Sequence, residues 1–205
     1  MTKPGFPVVI SSPSGGGKTT VCALLLKEDL TLERVVTATT RKPRLGEKNG
    51  TDYHFWTKAR FEKAIKENMM VEWAKVFDNY YGVPRKQFEQ TMKRGKCPVL
   101  IIDVQGAKTV ARQYPQSALV FLIPPDWKTL RARLENRKDN TVNIAGRLKT
   151  ARREIALMKK YGYIVINDDL KQAVADVKAV VAAEKCRAAR QLARFRKSAD
   201  GYRFI

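Results

Sequence analysis

The chain opens with an apolar stretch, FPVVIS, that runs through SPSGGGK into TTVCALLLKE, and no other feature limits the fold as much. Val8, Val9 and Ile10 form a β-branched run that reads as a buried strand. Val21, Leu24, Leu25 and Leu26 then follow at helical spacing. Between the two, Gly15, Gly16 and Gly17 carry no Cβ. Backbone N–H groups can therefore converge on an anion at the helix N-terminus, where the helix dipole adds positive potential. Lys18 supplies a point charge for the β- and γ-phosphates of a nucleotide, and Thr19 a hydroxyl for Mg²⁺. The stretch fits the phosphate-loop pattern of Gly, four free positions and Gly-Lys-Ser/Thr, except that Ser12 stands at the first glycine. Where that position needs φ > 0, a serine costs on the order of 1 kcal/mol, which weakens a loop without abolishing it. An ordinary glycine-rich turn would leave the Lys-Thr pair and both flanking elements unexplained.

A chain of 205 residues fits one domain with small insertions and can bury a real core. It has no apolar run of about 18 residues, so no membrane span is expected. The N-terminus enters the first strand almost at once, without a signal-peptide layout. Cys22, Cys97 and Cys186 are odd in number, far apart and at no metal or redox spacing, and read as reduced thiols of a cytoplasmic protein. His54 is the single histidine, which leaves little for a histidine triad or a multi-histidine metal site. Forty Lys and Arg against 20 Asp and Glu give a formal net charge of +20, the footprint of a polyanion binder. Part of the excess lies between Lys128 and Lys160. Another part lies after Glu184, in Lys185, Arg187, Arg190, Arg194, Arg196, Lys197 and Arg203.

Five apolar runs qualify as strands of a central sheet: Pro7–Ser11, Arg34–Ala38, Cys97–Val104, Ala118–Ile123 and Tyr163–Asn167. The third ends in an acid, Asp103, as a Walker B strand does. Helical patterns alternate with the strands, although none is assigned between the third and the fourth, and a last helix is expected from Leu170 towards Phe195. The alternation predicts an α/β fold with a five-stranded, mostly parallel core sheet flanked by helices, and ligands at the carboxyl ends of the strands. The segment from about Thr39 to Arg94 breaks the alternation and reads as an inserted substrate-binding part. Lys138 to Gly146, polar and set between two basic helices, reads as a lid.

The inserted part carries its own chemistry. Arg41 and Arg44 lie three residues apart on a loop held by Pro43, a spacing suited to forking around one phosphate. Tyr53 and Tyr81 offer hydroxyl donors. Glu72 sits in the apolar stretch MMVEWA, where a lone carboxylate is costly unless paired. Guanine presents two adjacent donors, N1–H and N2–H₂, that one carboxylate accepts, whereas adenine sets an acceptor against it. That difference is worth roughly 2–4 kcal/mol. Taken singly, each of these residues also fits a bland role: solvated arginines, packed tyrosines, a glutamate paired with a base.

Together, TTRKPRLGEKNGTDYHF, VEWAKVFDNYYG, VLIIDVQGA, FLIPPDWKTLRARLENR and VINDDL resemble the guanylate kinase family from about Val8 to Leu170. The resemblance implies a P-loop nucleoside monophosphate kinase fold and transfer of the ATP γ-phosphoryl group to GMP with Mg²⁺. It implies ATP binding by Ser12, Pro13, Ser14, Gly15, Gly16, Gly17, Lys18, Thr19 and Thr20. Arg41, Arg44, Tyr53 and Tyr81 would hold the GMP phosphate, and Thr37, Glu72 and Asp103 would read guanine. Thr19 and Asp103 would serve the metal. Lys18, Arg41, Arg44, Arg137 and Arg147 would stabilise the transferring group. The expected divisions are a kinase-like domain, 1–187, and a basic tail, 188–205. Within the former lie a core (1–38, 95–125, 160–187), a GMP-binding part (39–94) and a lid region (126–159). The chain departs from the family at Ser12, at Asp78 where Gly is usual, at Val83 where Ser or Thr commonly contacts the base, and at Ile101 where an acid is usual. Its lid is also one residue shorter.

Two other readings compete. A guanylate-kinase-like domain that binds protein partners without catalysis would bind an ATP analogue and form no GDP. A basic nucleic-acid-binding protein would show salt-sensitive affinity unaffected by replacing Lys18. Any nucleic-acid contact of the kinase is expected only through the tail, which is read as dispensable for transfer. Oligomeric state is left open.

Overall fold

The apolar start becomes the middle strand of the central sheet. The computed structural model describes residues 5–76, 78–136, 144–192, 195–198 and 201–204. In chain order the first half comprises β1 (Val8–Ser11), α1 (Lys18–Glu28), β2 (Leu32–Arg34), β3 (Ala38–Thr39), β4 (His54–Phe55), α2 (Lys58–Lys66), β5 (Met70–Val76), β6 (Asn79–Pro84) and α3 (Arg85–Lys93). The second half comprises β7 (Cys97–Ile101), α4 (Val104–Gln113), β8 (Ala118–Ile123), α5 (Trp127–Glu135), α6 (Ile144–Ala156), β9 (Tyr163–Ile166) and α7 (Leu170–Cys186). A short α8 (Ala188–Gln191) and a hairpin of β10 (Phe195–Ser198) and β11 (Gly201–Phe204) close the chain.

The central sheet has the order β2-β7-β1-β8-β9, and every pairing in it is parallel. Both faces are covered, which is why β1 is apolar without alternation. Val8 and Ile10 pack towards Val21, Cys22 and Leu25 of α1 and Val174 and Val177 of α7. Val9 turns the other way, into a second cluster with Phe88 of α3 and Ala107 and Val110 of α4. Each such side chain, fully buried, contributes about 1.5–3 kcal/mol relative to exposure. The inserted segment builds a separate four-stranded sheet, β4-β3-β6-β5, of which β3–β4 is parallel and the other pairings antiparallel. Among the described residues no helix is long and apolar enough to cross a membrane.

Four expectations need correction. The strand foreseen at Arg34–Ala38 is divided between the two sheets. Val35 still donates to Val99 of β7, but the Val36 N–H is taken by the Gln87 side chain at 3.1 Å, and Ala38 already pairs with Gly82 of β6. The β-branched run is thus a bridge that happens to read as one strand. The third strand stops at Ile101 because Asp103 caps α4, accepting the Gln105 and Gly106 N–H groups at 2.9 Å each. The fifth stops at Ile166, one residue before Asn167. Finally, the last helix ends at Cys186, with Arg187 extended (φ −54°, ψ 130°).

That early stop returns Arg190 to the body of the protein. Its guanidinium lies over the Phe6 ring at 3.9 Å, donates to the Glu184 backbone carbonyl at 2.8 Å and pairs with the Glu184 carboxylate. Glu184 is buried and also accepts the Tyr163 hydroxyl at 2.6 Å. Burial alone pushes its carboxyl up, yet the hydrogen bonds from Tyr163 and Arg190 and the charges of Arg190 and Arg187 hold it below its ordinary value. The latch therefore stabilises the fold above that ordinary value and is lost as pH falls through the lowered one. Removing Arg190 leaves the buried carboxylate only the Tyr163 hydroxyl and Arg187 at 3.5 Å, so Arg190→Ala should cost about 1–3 kcal/mol of stability. Transfer activity per folded molecule should stay unchanged. Urea unfolding at pH 7 measures the loss; a variant as stable as the parent would show that the pair contributes nothing.

Candidate active site

The carboxyl ends of β1 and β7 open into a cleft of about 530 Å³. One wall is the continuous segment from Ser12 to Thr20. The other carries Thr37, Arg41, Arg44, Tyr53, Glu72 and Tyr81, with Asp103 at the base. These expected residues therefore meet in one place. Arg147, on α6, is not among the lining residues, and α6 contributes Glu154 instead. Arg137 and part of the expected lid lie outside the described residues.

In the loop, Gly15 (φ 85°) and Gly17 (φ 89°) hold the left-handed conformations, and Ser12 does not. The expected backbone cost at Ser12 is therefore absent. Its side chain has a use of its own: the Lys18 ammonium donates to the Ser12 carbonyl at 2.7 Å and to its Oγ at 3.0 Å. Gly16 supplies the room, because a Cβ there would lie 2.5 Å from Ser12 Oγ. At Gly17 a Cβ would lie 2.2 Å from Asn167 Nδ2, whose amide donates to the Gly16 carbonyl at 2.9 Å. Asn167, at the end of β9, thus braces the loop from the next strand but one. The signal for it in the sequence was its place at the end of the last strand of the central sheet, in VINDD.

On the opposite wall Arg41 is held rather than loose. It pairs with Glu47 at 2.8 Å, donates to the Lys42 carbonyl at 2.7 Å, and lies over the Tyr53 ring at 5.4 Å. The Glu47 hydrogen bond raises its pKa despite burial, with a further bond to Tyr81. Glu47 also accepts the Arg44 N–H at 2.7 Å, so one carboxylate fixes both arginine positions. Tyr53 meets the Tyr81 ring edge-on at 6.1 Å. Arg34 reaches this wall too, donating to the Asp52 carbonyl at 2.6 Å, and lines the cleft with Glu47 and Asp52. Sequence reasoning passed over Arg34, which looked like the start of a strand.

Glu72 owes its direction to a register shift between Met70 and Glu72, where β5 slips against β6. Such a bulge breaks the alternation of sides, and Met70, Val71 and Glu72 are buried in succession. The carboxylate lies against Gly106, where a Cβ would come within 2.6 Å of Oε2. Burial first and the nearby Asp103 charge second push its pKa up to about 8, against a lowering hydrogen bond from the Val83 backbone. Val83 gives only that backbone contact. Its side chain is fully buried beside Val9, Val71 and Phe88, away from the cleft.

A glycine cradle at the end of the middle parallel strand, facing an arginine- and tyrosine-lined wall in the same cleft, defines a P-loop nucleoside monophosphate kinase fold. Residues 5–184 match the family model described as guanylate kinase. A guanylate kinase of Caldanaerobacter subterraneus subsp. tengcongensis is 41% identical over 186 residues, which cover 90% of each chain. That of Onion yellows phytoplasma is 42% identical over 200 residues, covering 96% of this chain and 94% of its own. The crystal structure of guanylate kinase from Anaplasma phagocytophilum superposes with a TM-score of 0.78 at 32% identity, covering 92% of this chain and 90% of that one. The chain belongs to the guanylate kinase family.

Proposed function

We infer that the chain transfers the γ-phosphoryl group of ATP to GMP, giving ADP and GDP. The observation that carries this reading is the pairing, in one cleft, of the glycine cradle with the buried carboxylate of Glu72. Ser12 to Thr20 would hold the donor phosphates, Lys18 spanning from Ser12 to the transferred group. Arg41, Arg44, Tyr53 and Tyr81 would hold the acceptor phosphate, whose oxygen attacks the γ-phosphorus as the bond to ADP breaks. Thr37, Glu72 and Asp103 would read the base. Arg137 and Arg147 would meet the transferring charge from the lid side. No protein nucleophile is needed, because phosphoryl transfer rests on positioning and charge stabilisation.

Mg²⁺ fits the donor set. The exposed Thr19 hydroxyl and the Asp103 carboxylate are hard oxygen donors, and Mg²⁺ is usually held by one or two such groups together with substrate phosphates. Among the described residues no group of three or more acidic, His or Cys side chains could form a cage of their own. When bound, the ion would neutralise charge between the β- and γ-phosphates. In this reading the core spans 1–38, 95–125 and 160–187, the acceptor part 39–94 and the lid 126–159, with 188–205 as a basic tail that is the one place for nucleic-acid contact. The free thiols of Cys22, Cys97 and Cys186 support a cytoplasmic location.

The test is ADP release with GMP, dGMP, AMP, CMP and UMP as acceptors. GMP should be preferred, and equal rates with AMP would sink the base assignment. A second measurement separates the two walls. Arg41→Lys should raise KM for GMP at least ~10-fold and leave KM for ATP nearly unchanged, since lysine cannot reproduce a guanidinium fork. A rise confined to ATP would mean the walls are assigned the wrong way round.

A further inference from the structure

Glu154 has no part in the transfer described above, yet its carboxylate lies in the donor half of the cleft. It projects from α6, lines the cleft with the glycine loop, accepts the Ser14 backbone N–H and stands in the field of Lys18. Its Oε2 is buried with no hydrogen-bond partner among the described residues. A lysine charge and a loop N–H beside a carboxylate are the same features that such a loop offers to phosphate oxygens.

We propose that Glu154 is an internal competitor for the donor-phosphate cradle: its carboxylate stands in for a phosphate oxygen at Ser14 and is displaced when a polyphosphate enters. The proposal rests on the reading of Ser12 to Thr20 as the donor site. A polyphosphate and a carboxylate cannot share one small set of donors, because like charges in a partly buried cleft repel strongly. The resident contact is also poorly compensated. Burial disfavours the charged form of Glu154, Lys18 and Ser14 work against that effect, and the Asp103 charge adds repulsion. Its removal therefore takes little away from α6. That helix rests on α5 through Leu148, Ala151 and Ile155 against Leu130 and Leu134, an apolar contact of the kind that permits small sliding. Arg147 precedes Glu154 by seven residues, close to two helical turns, so the two share a face of α6. Displacing Glu154 would shift Arg147 with it, which ties donor binding to the placement of a guanidinium near the transferring group.

The experiment is calorimetric titration of inorganic tripolyphosphate into the full chain, with chelator present and no metal, for wild type, Glu154→Gln and Glu154→Ala. Glutamine keeps an acceptor for the Ser14 N–H and drops the charge. It should bind tripolyphosphate about 10-fold more tightly than wild type, within the usual span of a coupling between two ligands. Alanine should move affinity in the same direction, which covers the case of a glutamine variant that folds poorly. A residue of merely structural importance would not produce a gain. Equal or weaker binding by both variants, with wild type binding measurably, overturns the proposal and leaves the donor loop standing. If none of the three binds tripolyphosphate, the donor-loop reading itself falls.

Discussion

Lys18→Ala should lower kcat by at least ~100-fold while leaving the melting temperature within a few degrees of wild type. The size follows from what such a group supplies: a positive charge at the site where transfer concentrates negative charge, in a cleft that water screens poorly. The stability forecast follows from the geometry. Lys18 donates within its own loop, to the Ser12 carbonyl at 2.7 Å and to Ser12 Oγ at 3.0 Å. The loop keeps its shape through Gly15, Gly17 and the Asn167 brace, none of which needs the ammonium. Single-turnover rates with saturating ATP and GMP, alongside thermal melts, give both quantities. A folded variant within a few-fold of wild type would place Lys18 away from the reacting phosphates.

Glu72→Gln should weaken use of GMP and narrow the GMP-over-AMP preference at least ~10-fold, because an amide accepts one guanine donor well and carries no charge. The same change should stabilise the free protein at alkaline pH. With a folded pKa of about 8 against an ordinary 4.5, the native state keeps this proton where the unfolded chain has lost it. The carboxylate therefore costs stability progressively as pH rises from about 4.5 to 8, and the cost is constant above that window. Glutamine removes the cost, so its melting temperature relative to wild type should rise across the window. Guanine, as a double donor, favours the ionised form, so GMP binding near pH 7 should release a proton in wild type and none in the variant. Calorimetry in buffers of different ionisation enthalpy measures the release. A GMP/AMP ratio unchanged by the substitution would show that Glu72 does not read the base.

Much of this was legible in the residues. The parallel sheet announced itself through runs such as VVIS and VLI, which need both faces covered, and the glycine loop through its flanking strand and helix. Other features were hidden for identifiable reasons. The Arg34–Ala38 run has strand composition, but whether it pairs with one sheet or two depends on Gln87, some fifty residues away. The cost expected at Ser12 came from a pattern of residue types, whereas the positive φ values of the loop fall at Gly15 and Gly17. Helix α4 went unseen because Gly106, a poor helix former, sits near its start. It is there because the Glu72 carboxylate needs the space. Glu154 gave no signal at all: among the charges of REIALMKK it looks like any solvated glutamate, and only the packing of α6 on α5 turns it inward.

The contact between Ser12 and Gly16 has a consequence for how this loop can change over time. A methyl group at Gly16 collides with the Ser12 side chain, at 2.5 Å from Oγ and 2.6 Å from Cβ, and only then approaches the Pro13 carbonyl at 3.1 Å. The two positions therefore form an ordered pair. A lineage carrying serine at 12 is barred from alanine at 16, and one that first reverts to glycine at 12 loses both severe collisions and finds the second step far less forbidding. The same substitution is thus excluded or passable according to its history, and this departure from the loop pattern, neutral in its own backbone, narrows the routes open to its neighbour.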